Sequence, residues 1–480
     1  MSIDENSPVP TVAVAGASGF IGRSLCRRLS GSVRVVALSR SAPAEGVPDA
    51  DGVLWKRCDL FSQRSCTQAL EGADMAVYLV HSMMPSARLT QGSFEDLDLV
   101  LAGNFASAAK SAGIQRIVYV GGLAPDDDQL SAHLRSRLEV EEELEASGAA
   151  VASVRAGLVI GSGGSSFLIV KRLVERLPIL ICPSWTSSKM QPVSLGDIVE
   201  VLAGLLADSV PRRGPVDVGG ADVVTYRELI EIASGSLGLR RRLFSVPYVA
   251  PSLSALWVSL VTSSSMSLVS PLVQSLTHDM VVRDTSAQSR YVKAPAGARE
   301  AFRQALADGP LAPPFQKRSA AERKSDIRSE SCVRSVQRLP GRAWLEAADI
   351  AREYTKWLPR AMWPFIGVRS QDGIHRFRLR GLGLVLLELA DAPDRSSRDR
   401  YLFLIKGGLL ARTGGRTEGR FEFRCVLGGR ATLAAIHDFR PRLPWLLYSL
   451  TQALAHRWVM FRFGRHLDRM LSVGGLARNA

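Results

Sequence analysis

Short apolar runs alternate with segments of helical period along the first third of the chain. The run at 12–15 leads into a glycine-containing stretch at 16–22 and then into 23–29, which predicts strand, turn and helix in that order. Further apolar runs at 33–38, 55–59, 75–80, 117–120 and 152–160 read as strands, and 97–112 and 139–146 read as helices between them. Short buried strands separated by helices of this length predict a parallel, doubly wound α/β sheet. Two later strand-to-helix units, one at 191–198 and one at 216–233, read as structural and substrate-side elements.

Beyond residue 240 the pattern changes. The stretch 243–276 is densely apolar, but Pro247, Pro251, Pro271 and the serines at 263–265 interrupt it, so it holds no continuous apolar span of about 20 residues. Four uses stay open for it: a substrate lid, a helical pair packed on the sheet domain, a domain interface, or peripheral membrane contact through 240–276 led by Arg240, Arg241 and Arg242. A helix is predicted at 294–307, and the proline-rich, then charged, segment 308–330 reads as a linker between a first domain over 9–307 and a second over 331–472. In the second domain, β-compatible runs at 375–380, 383–389, 401–405, 420–425 and 431–438 precede a long helical segment at 445–467. Strands closed by a C-terminal helix predict an α+β helix-grip-like domain with an apolar cavity between sheet and helix.

The glycine-containing turn carries the first chemistry. Gly16 permits a tight turn, Gly19 lets backbone approach a pyrophosphate, and Gly22 lets the following helix pack closely on the sheet, the pattern of a Rossmann-type dinucleotide site. Gly16, Ser18, Gly19, Phe20, Ile21 and Gly22 are therefore the expected cofactor contacts of the turn. Arg40 follows the second strand where an acidic residue would hold the ribose 2′-hydroxyl of NAD; arginine there favours NADP. Asp59 and Leu60 end the third strand on the adenine side. Ligands of open parallel sheets bind beyond the carboxyl ends of the strands, which places His81, Gly121, Gly122, Leu158 and Gly161 around one crevice.

Composition narrows the classes. The chain has 480 residues, 46% hydrophobic and 22% charged, enough for two folded domains and unlike a disordered chain. A net charge of +14 favours anionic partners, among them nucleic acid, acidic lipid or a phosphorylated cofactor. No zinc-finger spacing or aromatic-basic stripe accompanies it, so nucleic-acid recognition is not expected. The six cysteines show no paired or metal-ligand spacing, which fits a reducing compartment. His437, His456 and His466 are not fixed around one ion, and no metal site is expected. The polar start of the chain does not read as a secretory signal, so the expected location is cytoplasmic, with any membrane contact peripheral and at the inner face.

GASGFIG at 16–22, GNFASAAKSAGIQRIVYVGGL at 103–123, HLRSRLEV at 133–140, RAGLVIGSG at 155–163 and QPVSLGDIV at 191–199 resemble an atypical branch of the extended short-chain dehydrogenase/reductase superfamily, near the complex I accessory-subunit and nitrogen-regulator-like proteins. Members with ordinary chemistry carry a serine and a Tyr-x-x-x-Lys pair. Here Gly121-Gly122 stands near the serine position, and His133 and Arg137 keep the four-residue spacing with both residue types changed. Two readings stay open: His133 supplies a proton while Arg137 orients the nicotinamide ribose or steadies a charge, or the pair is a packing and salt-bridge device. In the second domain, GGLLA at 407–411, GRFEFR at 419–424 and the stretch 436–460 resemble START-like or polyketide-cyclase-like modules, which implies a lipid-sized pocket. The resemblance implies an NADP-dependent oxidoreductase acting on a hydrophobic carbonyl or enone; the alternative is a non-catalytic dinucleotide-sensing or assembly protein.

Overall fold

A computed structural model describes residues 9–42, 47–82, 87, 89–124, 130–247, 250–276, 278–311, 332–414 and 418–478; most of the expected linker at 308–330 lies outside them. The chain divides into two compact units, Met1–Met84 with Leu101–Lys317, and Pro85–Val100 with Arg318–Ala480.

The first unit is built on β1 (Thr11–Ala15), β2 (Arg34–Ser39), β3 (Leu54–Arg57), β4 (Met75–Tyr78), β5 (Arg116–Gly122), β6 (Ala150–Ala156), β7 (Ile179–Pro183), β8 (Gly214–Val218) and β9 (Arg242–Val246). Its helices are α1 (Phe20–Leu29), α2 (Gln63–Leu70), α3 (Phe94–Ala112, of which Leu101 onward belongs here), α4 (Ala132–Glu145), α5 (Ser165–Arg176), α6 (Leu195–Ala207), α7 (Tyr226–Ser236), α8 (Pro251–Thr262), α9 (Met266–Ser275) and α10 (Ala298–Asp308). The main sheet runs β8-β6-β5-β4-β1-β2-β3, all parallel, with Val47–Pro48 antiparallel at its edge. Every residue of β1 is buried, which explains why these strands read as continuous apolar runs instead of alternating ones. Side chains of successive residues still part to opposite faces. Val77 joins Leu25 of α1 and Ile198 and Leu202 of α6 in one core, while Tyr78 meets Phe105 of α3 at a ring separation of 5.0 Å. The chain winds outward from β1 through β2 and β3 and then returns to β4 on its other side. That reversal makes the carboxyl ends of β1 and β4 the topological switch point.

The described residues of 243–276 are mostly a strand and two helices. β7 and β9 pair in parallel as a two-stranded sheet, and α8 and α9 form a helical pair whose Ala255, Val258, Val269 and Val273 pack with Leu173 of α5 and Leu180 of β7. Among the described residues no helix is long and apolar enough to cross a membrane.

The second unit contains β10 (Val333–Pro340), β11 (Ile366–Gln371), β12 (Ile374–Leu379), β13 (Val385–Asp391), β14 (Arg400–Gly407), β15 (Arg420–Val426) and β16 (Ala431–Phe439), with helices α11 (Ala347–Ala361), α12 (Trp445–Leu450) and α13 (Gln452–Arg478). Its sheet runs β11-β12-β13-β14-β15-β16-β10 and is antiparallel throughout, extended at the β10 edge by Leu89–Gln91 in parallel. Tyr354 of α11 lies 5.4 Å from the rings of Phe421 and Phe423 on β15 and 5.2 Å from Phe463 on α13. Aromatic rings thus occupy the space between sheet and helices where the sequence reading places an apolar pocket.

Candidate active site

The glycine turn folds as its spacing requires. Gly16 adopts φ +85°, and a Cβ there would stand 3.0 Å from the Leu79 carbonyl oxygen of the strand beside it. Gly19 donates its N–H to Gly16 O at 2.9 Å and caps α1 with backbone alone. Gly22 is the tightest point, since a Cβ would lie 2.4 Å from Gly16 O and 2.7 Å from Ala17 Cα. Only glycine therefore lets the first turn of α1 close on the loop, and Ser18, Phe20 and Ile21 are carried on that closed turn. A second glycine loop reaches the same place: a Cβ on Gly164 would touch the Phe20 ring at 3.2 Å, and one on Gly163 would stand 3.8 Å from an Arg23 guanidinium nitrogen. Such backbone suits a pyrophosphate, whose oxygens are bound by N–H groups at a helix N-terminus.

Arg40 is exposed at the end of β2, and Asp59 and Leu60 follow the neighbouring β3, whose Arg57 is in register with Ser39. Asp59 Oδ1 accepts from Phe61 N at 3.2 Å, and the Leu60 carbonyl accepts from the buried Asn104 side chain at 2.8 Å, so this loop is fixed from within. The three residues expected on the adenosine side thus share one edge of the sheet.

On the other side of the switch point, Gly122, His133 and Leu158 line a cavity of about 400 Å³ together with side chains of α5, α7, α8 and α9. Its wall is almost wholly apolar, with Ile169, Leu229, Trp257, Val258, Val273 and Leu276 among its residues. His133 Nδ1 lies 3.2 Å from Ser275 Oγ, which is 3.0 Å from Ser131 Oγ and 3.0 Å from the Pro271 carbonyl. Burial, then the charges of Arg137 and His81, push the His133 pKa down to about 3. The imidazole is therefore neutral near pH 7, and His81, though exposed, is close enough to act on it. Arg137 is buried one turn along α4, its carbonyl accepting from Tyr119 O–H at 3.2 Å, and among the described residues it does not line the cavity. A Cβ at Gly121 would meet the Tyr119 ring at 3.0 Å, so the tyrosine stands where a serine at this position would have to fit.

Two polar groups of the cavity wall were not singled out by sequence. Trp185 Nε1 and Ser254 Oγ are buried and, among the described residues, have no hydrogen-bond partner. Neither falls in a motif; Ser254 lies in the unusual apolar stretch that became α8 and α9, and Trp185 had no such signal. Ser275 likewise follows from no spacing rule, because α9 brings it to α4 across 142 residues.

Residues 16–170 match a family described as NAD(P)H-binding. The chain is 29% identical over 121 residues to the auxiliary protein GraX of Staphylococcus aureus, covering 25% of this chain and 39% of that protein. It is 28% identical over 263 residues to the ceramide reductase of Caulobacter vibrioides, covering 53% of this chain and 80% of that protein. The solved structure of an NADPH-dependent quinone oxidoreductase of Escherichia coli complexed with NADPH covers 62% of this chain and 99% of its own, with a TM-score of 0.49 and 18% identity. The sheet order, the glycine turn and the family match together make the first unit an NAD(P)-binding domain of the Rossmann type.

Proposed function

We propose that the first unit is an NADP(H)-dependent reductase of a carbonyl or enone borne on a hydrophobic, lipid-like molecule. The observation that carries this reading is the continuity of one apolar cavity with Gly122 and His133 at the carboxyl ends of the strands. Gly16, Ser18, Gly19, Phe20, Ile21 and Gly22 would hold the pyrophosphate, Arg40 the 2′-phosphate, Asp59 and Leu60 the adenine side, and His81 and Gly121 the approach to the nicotinamide. The dinucleotide, when bound, supplies the hydride. The similarity to a ceramide reductase over about half of the chain supports a lipid-like substrate.

The chain's own residues must then receive an oxygen that gains negative charge and deliver a proton to it. An imidazolium is not available at neutral pH with a pKa of about 3. The neutral ring serves instead through its tautomer. Ser275 donates to the Pro271 carbonyl at 3.0 Å; once its hydroxyl turns from there to Nδ1, 3.2 Å away, Nε2 carries the proton and donates to the substrate oxygen. As that oxygen takes the Nε2 proton, Nδ1 takes the Ser275 proton, Ser275 takes the Ser131 proton, and the partly exposed Ser131 takes one from solvent water, so every group ends as it began; the separations of 3.2 and 3.0 Å permit the hops between side chains. The buried Arg137 raises the cost of an imidazolium and so keeps this relay neutral.

NADPH oxidation with long-chain aldehydes, ketones and enones tests the reading. His133→Phe is expected to lower kcat by about 10²–10⁴-fold, and Ser275→Ala by less, with NADPH affinity kept in both. Equal rates in wild type, His133→Phe and Arg137→Met sink catalysis at this pair. The second reading, a non-catalytic dinucleotide sensor, gains its support from the absent Tyr-Lys pair and from the similarity to an auxiliary protein. Tight NADPH binding without turnover of any of these substrates selects it.

For the second unit we read the strand order, with its long closing helix, as helix-grip and START-like. Peripheral membrane contact through 240–276, at the cytoplasmic face, is part of the same proposal: Phe244, Leu253, Leu256 and Leu260 are exposed beside the cavity-lining helices, next to Arg240 and Arg242.

A further inference from the structure

A different surface, wholly within the second unit, carries an inference of its own. α13 turns Ala453, Met460, Phe463, Leu467 and Leu471 toward the sheet, where they are buried in the core. Its opposite side would be polar in an ordinary surface helix. Instead Leu454, Trp458 and Phe461 of α13 are exposed at steps of four and three residues, which sets them along one stripe, and Leu446 and Leu450, a step of four apart on α12, are exposed just before it. Leu446 is 73% exposed and Phe461 64%, so these side chains are not edges of the core.

The charges around the stripe are predominantly positive, with the exposed Asp468 at its far end. Between residues 439 and 467 the chain holds five arginines, 440, 442, 457, 462 and 465, and no aspartate or glutamate. Arg462 lies over the Trp458 ring at 5.2 Å and Arg465 over Phe461 at 6.0 Å, so guanidinium groups flank the apolar residues directly. The stripe also continues past α12. Arg412 N donates to Arg440 O, Arg442 N to Leu410 O, and Leu409 N to Val385 O, which ties the start of α12 to the loops at one end of the sheet. That end presents Trp363, Phe365 and Leu382, exposed by 66, 64 and 69%, with Arg380 stacked on Trp363 at 4.6 Å.

We propose that the α12–α13 stripe and the adjoining loop end form a docking surface for an anionic lipid bilayer. Exposed tryptophan, phenylalanine and leucine seat in the headgroup and acyl boundary, and the arginines that flank them are attracted to negative headgroups. A second copy of the chain fits the same surface poorly, because a two-fold contact would set this arginine-rich face against itself. An acidic protein would match the charge but not so many exposed apolar side chains at one continuous face.

Sedimentation of the full chain with vesicles tests the assignment without reference to turnover or cofactor. Wild type is expected to sediment with phosphatidylcholine vesicles containing phosphatidylglycerol, weakly with phosphatidylcholine alone, and less as salt is raised. Leu450→Glu with Trp458→Glu is expected to lower the partition coefficient by at least about tenfold, and Arg462→Gln with Arg465→Gln to remove most of the preference for anionic vesicles. These positions are exposed, and an unchanged circular dichroism melt verifies that the variants fold. No sedimentation of the folded wild type overturns the proposal. So does wild-type sedimentation of the Leu450→Glu/Trp458→Glu variant, even where Leu256→Glu with Leu260→Glu in the first unit abolishes binding. A wild-type dimer that the stripe variant converts to monomer, with no vesicle binding by either, overturns it in favour of self-association.

Discussion

The first unit and the second each place helices against β-structure over an apolar interior, yet one interior is open and the other is filled. Between α5, α7, α8 and α9 the walls are set by aliphatic side chains and by Gly122, Gly157, Ser254 and Ser275, and a cavity of about 400 Å³ remains. Between the antiparallel sheet and α11 and α13 the interior is closed by rings, with Tyr354 in contact with Phe421, Phe423 and Phe463, and Trp357 with Phe463 at 5.1 Å. Ordinary cores fill to crystal-like density, so the open interior is the one with room for a ligand. The difference teaches that side-chain size, more than the layering of strands and helices, decides which of two apolar interiors receives a molecule.

The sharpest break of that comparison is Tyr354→Ala. Removing a ring that four others contact is expected to destabilise the second unit by about 3–5 kcal/mol, read as a shifted urea midpoint, while NADPH binding by the first unit is retained. A loss below about 1 kcal/mol shows that the aromatic interior is loosely packed after all. Adding volume gives the converse. Ala434 is 1% exposed in the ring-filled core, and Ala434→Leu is expected to cost about 1–3 kcal/mol. Val258 lines the cavity, so Val258→Phe is expected to cost less than about 1 kcal/mol, and to lower kcat/KM for long-chain substrates more than for short ones. Equal stability costs in the two variants remove the distinction between the interiors.

How much of this was legible in sequence follows the same divide. Parallel strands buried on both faces announce themselves as apolar runs, and 12–15, 75–80 and 117–120 fall on β1, β4 and β5. The glycine turn was readable because its constraints are local: Gly22 meets Gly16 and Ala17, only five or six residues back. The cavity was not. It depends on Ser275 reaching His133 across 142 residues, and on Trp185 and Ser254 facing the same space. No period or motif encodes such distances. β10, α11 and β11 were missed for a related reason. Arg334, Arg338 and Gln337 break the apolar signal of β10, whose place is set by pairing with β16 and with the three-residue strand Leu89–Gln91, more than 240 positions earlier. The expectation of a pocket under the C-terminal helix came from the order of elements, which does not report that Phe421, Phe423 and Phe463 converge on Tyr354.

Acid sharpens the comparison further, since each unit holds a histidine kept neutral. His133 is lowered to about 3 by burial, Arg137 and His81, and His456 to about 4 by burial alone. Unfolded histidines protonate near pH 6.5, well above either folded value. The unfolded chain therefore binds more protons between these limits, so stability is full above about pH 6.5 and falls as pH drops toward about 3 for His133 and about 4 for His456. Each group is expected to cost its own unit about 1–2 kcal/mol at pH 5 relative to pH 7. His133→Phe should flatten the acid slope of the first unit only, and His456→Leu should reduce that of the second only, where the buried His437, also lowered by burial, keeps part of it, in thermal melts taken from pH 7 to pH 4. The same low value predicts that the pH profile of kcat carries no His133 limb between about pH 5 and 8. Such a limb, lost in His133→Phe, shows an imidazolium in the reaction and displaces the neutral relay.

The smallest expected effect bears most directly on what the open interior is for. A buried N–H without a partner is a net cost to the folded protein, so Trp185→Phe, which deletes the indole nitrogen while keeping an apolar ring, is expected to change stability by less than about 1 kcal/mol and toward stabilisation. The same donor becomes favourable once an oxygen of a ligand fills its hydrogen bond. Trp185→Phe is therefore expected to weaken binding of a hydroxylated or amide-bearing amphiphile by about tenfold, and to leave a plain hydrocarbon of equal length unaffected. Ser254→Ala should act in the same direction. Displacement of a fluorescent apolar probe, measured with each ligand in both variants, separates the cases. Equal affinity for both ligand types before and after substitution means that the cavity recognises apolar length alone, and that Trp185 Nε1 and Ser254 Oγ play no part in selecting what it holds.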